Sequence, residues 1–427
     1  MYDLKLPYGD FPDRTGMVVR RGDSCEEGTE LDPELGYCIS LDEEKAYGSD
    51  SCSSEKGPAT HTDNPINYAI GNKFYRETDY RQQGAFPLVF RRTYNSLDKG
   101  WRYSYGQYIE STSATSVSVH RPDGQVLSFS LKNGIWTPDP DIVTRLEGSA
   151  ASGWIYHLRN NTQERYDSEG RLVAITRPSG LQQTLVYSDT DAQFTVTDPA
   201  GEWLVVTLNA ADQPVKLQDR AGLSVTYDYA NQQLVKVTYA DGTSKQYLHE
   251  VADKPWLITG ILDENGNRSH TVAYDEAGRA IMSERADGVE RTEVSYHDDG
   301  RVTLTNALGK KSRVEFKLIH GMKKIVHIDG EPTTTCLGTA VDYAYDENGF
   351  LISKVDAAGV VTEYTRDAHG LEQRRTEAVG TPQERVITTE WDSEHRLPLR
   401  VTEPSQITTY HYDANGLLLE RTIQPRQ

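Results

Sequence analysis

The stretch Tyr166-Asp167-Ser168-Glu169-Gly170-Arg171-Leu172 returns along the chain in one frame. It recurs as Tyr274-Asp275-Glu276-Ala277-Gly278-Arg279, Tyr345-Asp346-Glu347-Asn348-Gly349-Phe350-Leu351 and Tyr412-Asp413-Ala414-Asn415-Gly416-Leu417-Leu418, with weaker copies at 296–301, 364–371 and 391–397. A second turn lies about half a unit on, as Asp198-Pro199-Ala200-Gly201, Asp219-Arg220-Ala221-Gly222 and Asp356-Ala357-Ala358-Gly359. Gly180, Gly201 and Gly222 are 21 residues apart, and Tyr166, Tyr187, Leu208 and Tyr229 step by the same 21. Two independent markers in one period are the mark of a tandem repeat. Each Asp can accept a bond from its own backbone two residues on, and each Gly can take positive φ, so every D-x-x-G is a turn. Two turns per unit leave two strands of about six or seven residues, each roughly 20 Å long. A hairpin of this size cannot bury its face alone, so neighbours must pair edge to edge in one long antiparallel sheet. From residue 166 to the end there is room for about twelve units.

Working outward, the strands alternate as half-buried strands should. Leu223, Val225, Tyr227 and Tyr229 share one face, followed by Val235, Val237 and Tyr239. The 25 Tyr, against 8 Phe and 6 Trp, suit pleated surfaces. Upstream, Phe86, Leu88 and Phe90 alternate, and further strands are expected at 103–109, 116–120 and 126–131, with Asp123-Gly124 as a hairpin turn. The 427 residues carry 45 Lys and Arg against 64 Asp and Glu, a net charge of −19, which opposes sequence-independent nucleic-acid binding. No apolar run approaches the roughly 18 residues of a membrane span, and the first residues lack the basic and apolar stretches of a signal peptide. Residues 1–63 hold 15 Asp and Glu against 6 Lys and Arg, and three of the four cysteines, Cys25, Cys38 and Cys52. Their spacings of 13 and 14 are not those of a zinc knuckle; a disulfide, with or without Cys336, and free thiols are both open.

Tyr-Asp-x-x-Gly-x-Leu at this period resembles the YD or RHS repeats. The block Asn64-Pro65-Ile66-Asn67, Gly71-Asn72-Lys73-Phe74, Asp79-Tyr80, Pro87-Leu88 and Arg92-Thr93-Tyr94-Asn95-Ser96 resembles the domain that precedes those repeats in RHS proteins. The resemblance covers about residues 63–427. It implies an all-β fold, a spiralling antiparallel sheet of YD-repeat hairpins forming a partial, open shell. It divides the chain into an acidic, loop-rich, Cys-containing segment (1–62), the leading β-rich domain (63–160) and the repeat array (161–427). Complete shells of the family close as a cocoon around a C-terminal toxin and carry a D-P-x-G cleavage stretch near its start. Here Asp198-Pro199-Ala200-Gly201 alone fits that pattern, inside the repeat register, and the chain stops fifteen residues after Tyr412. The expectation is therefore that toxin, cleavage site and the closing part of the shell lie outside this chain. Secretion or cell-surface placement, after a cytoplasmic stage, is implied in the same way.

Other chemistry is sparse. There is no P-loop, H-E-x-x-H or G-x-S-x-G. Asp263-Glu264-Asn265-Gly266-Asn267 resembles the first half of a calcium loop but has Arg268 and Tyr274 at the sixth and twelfth positions, so a turn is expected. His320 and His327, if they share a strand, point oppositely. Glu43-Glu44 reads as solvated surface, and the Tyr rows as cross-strand packing rather than sugar platforms. No catalytic, metal or cofactor residue is assigned. The leading expectation is a non-catalytic shell fragment of a toxin-delivery protein, whose partners are a toxin polypeptide, further shell segments or its own open sheet edge. An extracellular adhesion or carbohydrate-binding module and a self-cleaving enzyme are the alternatives.

Overall fold

The computed structural model describes residues 17–18, 29–32, 37–40, 44–47, 57–189, 192–330 and 340–426. It is built almost entirely of antiparallel strands. One sheet of 26 strands runs in unbroken chain order from Arg145–Ser149 to Leu418–Pro425. Ahead of it lie two four-stranded sheets. The first is Ile66–Asn67, Asn72–Arg81, Val89–Asn95 and Gly100–Tyr103; the second is Tyr108–Ser113, Ser116–His120, Val126–Lys132 and Ile135–Pro138. A three-stranded sheet joins Met17–Val18, Thr29–Asp32 and Tyr37–Ser40. The pairing proposed for Cys25, Cys52 and Cys336 lies outside the described residues, as does the Cys38 side chain. Among the described residues no helix is long and apolar enough to cross a membrane.

The repeat sequence builds the wall as its chemistry dictates. In the turn after Tyr166, Asp167 N–H donates to the Arg171 carbonyl at 2.9 Å and Gly170 N–H to the Asp167 carbonyl at 3.1 Å. Asp167 Oδ1 accepts from the Glu169 and Arg171 N–H groups at 3.0 and 2.9 Å. Gly170 sits at φ +80°, and a Cβ there would meet the Ile109 carbonyl oxygen at 1.9 Å, so no other residue fits. The same bonding recurs at Asp198, Asp263, Asp346, Asp356, Asp367 and Asp413.

The Tyr of each unit has a second task. Tyr187 Oη donates to the Leu172 carbonyl at 3.0 Å, Tyr229 to Pro214 at 2.9 Å, Tyr296 to Ala280 at 2.8 Å and Tyr412 to Pro398 at 3.0 Å. Each bond ties the end of one strand to the start of the strand before it, at the edge where no turn joins the two. His249, Arg366 and Trp391 donate at equivalent places to Leu234, Leu351 and Glu372.

Two sequence expectations are corrected. Residues 103–109 do not form one strand: Gly100–Tyr103 ends, Tyr105 turns the chain at φ +70°, and Tyr108–Ser113 begins anew. A β-bulge between Asp228 and Tyr229 shifts the register, so Leu234 and Val237 are the buried residues while Val235 is only half-buried. Strands Ser116–His120 and Val126–Lys132 stand where alternation puts them.

The wall coils around the two small sheets, which fill its inner side. Ile66, Tyr75, Phe90 and Tyr94 of the leading domain share one hydrophobic core with Val225, Tyr227, Val237, Ile258 and Val294 of the wall. After its twenty-third strand, Arg385–Trp391, the wall returns to its own beginning. There Arg396 donates to the Val143 carbonyl at 2.5 Å and Asn161 Nδ2 to the His395 carbonyl at 2.7 Å. The seam is made by side chains rather than by a ladder, so the sheet stays open. Replacing Arg396 and Asn161 together with Ala is expected to speed amide exchange across 385–402 by about tenfold while 203–238 is unchanged. Unaltered exchange across 385–402 would show that the seam does not hold in solution.

Candidate functional site

The leading domain docks on the inner face of the wall through buried polar groups. The strongest of these is Arg92. Its strand, Val89–Asn95, pairs with Asn72–Arg81 across a bulge that lies between Thr78 and Tyr80 and so brackets Asp79. Arg92 meets Asp79 through two bonds, Nε to Oδ2 at 2.5 Å and Nη2 to Oδ1 at 3.0 Å, with both side chains sealed from solvent. The wall completes the site: Tyr227 Oη donates to Asp79 at 2.8 Å, and Arg92 donates to Tyr247 Oη at 3.2 Å. The guanidinium also lies 4.4 Å from the Trp101 ring centre. Burial alone would lower the Arg92 pKa, but the Asp79 carboxylate outweighs it and holds the guanidinium charged.

Lys73 makes a second anchor. Its Nζ donates to Asn64 Oδ1 at 2.9 Å and to Ser283 Oγ of the wall at 3.0 Å, and it lies 4.3 Å from the Tyr75 ring centre. Among the described residues no carboxylate pairs with it there. Burial, and then the nearby Arg285 charge, push its pKa well below the usual lysine value. The same crowding of cations, after burial, pushes His270 down to about 4. A third anchor joins Arg121 to Glu164 at 2.5 and 3.1 Å, with Tyr166 Oη and Gln107 Nε2 also donating to that carboxylate. Burial is the largest single influence and would raise Glu164, but the Arg121 charge and the hydrogen bonds from Arg121, Tyr166 and Gln107 together hold it below the ordinary range. A fourth holds Lys45, which donates to Asp139, Asp141 and the His320 carbonyl at 2.9, 2.7 and 2.8 Å. Gly71 and Tyr94 add backbone links, accepting from Ala280 N–H and donating to the Trp256 carbonyl.

Of these residues, Asn64, Gly71, Lys73, Asp79, Arg92 and Tyr94 stand in the sequence block that resembles a known domain, whereas Lys45, Arg121 and Glu164 were not singled out. The wall partners of Asp79, Arg92 and Lys73 lie 148, 155 and 210 residues away, at Tyr227, Tyr247 and Ser283, so no local pattern exposed them. Asp263 forms the expected turn, accepting from Asn265 and Asn267 N–H groups. His320 and His327 do not share a strand. His320 lies in the hairpin turn at φ +49°, with its ring on the Glu347 carbonyl, and His327 pairs with Asp342 at 2.6 Å. Glu43 lies outside the described residues. Among the described residues no group of three or more His, Cys, Asp or Glu side chains is placed to hold a metal ion.

Two measurements test these anchors. Arg92→Met leaves a buried, unpaired carboxylate at Asp79 and is expected to cost about 3–5 kcal/mol in urea unfolding, most of it recovered on adding Asp79→Leu. Equal losses in the single and double variants would contradict the pairing. For Lys73, the unfolded chain binds the proton that the folded chain resists, so stability rises with pH below the ordinary lysine value of 10.5 and is lost as pH falls to the folded-state value. Between pH 7 and 9, Lys73→Met should therefore flatten the stability profile, by at most about 1.4 kcal/mol per pH unit. An unchanged slope would mean Lys73 is charged and satisfied.

Comparison with known proteins places these features. A sequence-family model described as a domain of unknown function (DUF6531) matches residues 63–129, and one described as RHS Repeat matches residues 345–382. The curated protein named "Probable deoxyribonuclease RhsB" of Dickeya dadantii (strain 3937) is 24 % identical over 328 residues, covering 70 % of this chain. The chain spans only 21 % of that relative's length. Among solved structures, TcdB2-TccC3 without its hypervariable C-terminal region is 10 % identical, with a TM-score of 0.40, over 82 % of this chain and 24 % of that one. The Photorhabdus luminescens Tc holotoxin pore is 11 % identical, with a TM-score of 0.37, over 83 % and 24 %.

Proposed function

We propose that this chain, an RHS/YD-repeat protein, is a non-catalytic wall segment that encloses and shields a toxin polypeptide. The observation that carries this reading is the change in cover along the wall. From Leu146 to Val314 the inward positions are buried against the leading domain. Beyond Ile387 that cover is gone: Leu399, Leu417, Leu418, Leu419 and Ile423 are exposed, and Leu418–Pro425 pairs on one side only among the described residues. The leading domain thus plugs one end of the coil, and the other end presents an apolar lining and an unpaired edge. Both invite polypeptide, as further strands or as a chain held against the inner face. On this reading the wall proper begins near residue 145, where the long sheet starts. The net charge of −19 favours a basic cargo. The relative's name makes a deoxyribonuclease a reasonable example. Such a protein is cytoplasmic when made and acts after export, against competing cells.

A basic nuclease domain fused after Gln427 is expected to resist added protease roughly tenfold longer than the same domain fused before Met1. Equal digestion from both positions would remove the enclosing role.

A further inference from the structure

The later strands of the wall sort their charges between its two faces. The register carries the inner face forward from Tyr343, which lies in the shared core. Tyr343 stands opposite Lys354, Lys354 opposite Thr362, Thr362 opposite Glu377 and Glu377 opposite Arg385. The adjoining row on that face runs from Tyr364 through Arg375 to Ile387. Further along, Thr389 leads to Val401, Thr408 and Ile423, and Arg421 stands opposite Tyr410 beside them. Within these rows Lys354, Arg375, Arg385 and Arg421 face one carboxylate, Glu377. The opposite face has the reverse balance, with Asp342, Glu363, Glu390 and Glu420 against Arg374 and Arg400.

The inner cations are not used up by their neighbours. Glu377 is shared by Arg375, at 3.0 Å, and Arg385. At the strand ends, Glu372 is matched by Arg366 and Arg375, at 3.8 and 3.4 Å, and Asp356 is spent on its turn, accepting from the Ala358 and Val360 N–H groups. Lys354 and Arg421 have no carboxylate partner among the described residues; Arg421 lies 6.0 Å from the Tyr410 ring centre. Lys354, Arg375 and Arg385 surround an open hollow of about 460 Å³, with Thr362 and Tyr364 in its lining. Lys354 and Arg385 are three strand spacings apart, and Arg421 lies three further on, about 29 Å in all at the usual spacing. Between these cationic ends the same face offers Ile387 and Val401, with the exposed Leu399 two residues from Val401.

We propose that this strip holds an extended acidic stretch of the enclosed polypeptide, with carboxylates at both ends of a short apolar run. Charge complementarity selects the carboxylates, and about nine extended residues span the distance. Nucleic acid, the other common polyanion, suits neither the apolar middle of the strip nor the −19 of the whole chain. The inference rests on the shell reading and refines it. The net charge attracts a basic domain from a distance, whereas the strip acts on contact and takes the acidic stretch within that domain.

The test is fluorescence anisotropy at low salt, titrating the full chain into a labelled peptide that has Leu and Val between flanks of Glu and Asp. The peptide is expected to bind. Lys354→Glu combined with Arg421→Glu should weaken binding roughly tenfold or more, while Arg374→Glu on the opposite face should leave it unchanged. Arg421→Glu alone, at a fully exposed position, should weaken it about threefold and carries the test should the double variant not fold. The same peptide with Lys for its acids, and oligo-dT of equal charge, should not bind. No binding of the acidic peptide, equal binding of the lysine peptide or oligo-dT, or undiminished binding by the variants would overturn the proposal. So would a wild-type dimer in light scattering that the double variant loses, since the strip would then belong to a second copy. Lost peptide binding with protease protection of the fused domain intact removes the strip alone and leaves the shell reading standing.

Discussion

A two-stranded hairpin of about twenty residues has two open edges and one apolar face, and it can satisfy neither by itself. Everything in this structure answers that constraint. The edges are satisfied by laying hairpin beside hairpin, so that 26 strands form one sheet in chain order. Within each unit the Asp-x-x-Gly turn closes one end. At the open end between units, a Tyr hydroxyl or its substitute bonds the carbonyl that begins the neighbouring strand. One aromatic residue per unit thus packs the face and pins the junction, which accounts for an aromatic composition dominated by Tyr.

The apolar face is answered differently along the wall. Over its first two-thirds it closes on the leading domain, through a shared apolar core and three buried polar anchors. Buried ion pairs of this sort add little net stability relative to apolar packing, because both charges lose water. Their value here is register. Asp79 and Arg92 fit only where Tyr227 and Tyr247 stand, and Lys73 only beside Ser283, so the anchors fix which strand faces which part of the plug. Over the last strands the face has no such cover, and that contrast between the two ends underlies the enclosing role.

Much of the fold was legible because turns and alternation are local. The spacing of Gly180, Gly201 and Gly222 gave the period, and Tyr166-Asp167 through Gly170 gave the turn, before any coordinate was known. Bulges hid the rest. Alternation puts Val235 inward, but the extra residue near Tyr229 buries Leu234 instead. Tyr105 reads as a strand residue, and nothing local signals its left-handed turn. The anchors were unreadable as chemistry for another reason: Lys73 and Ser283 are 210 residues apart, and only the coil of the wall brings them together.

The central claim is that one continuous sheet coils around the domain that precedes it. Small-angle X-ray scattering of the monomeric chain tests this most directly. A coiled wall packed on its plug should give a radius of gyration of about 25 Å, close to that of a compact chain of this length. The same 26 strands laid out as an uncoiled ribbon would extend about 120 Å at the usual strand spacing. A radius above about 35 Å would contradict the coil.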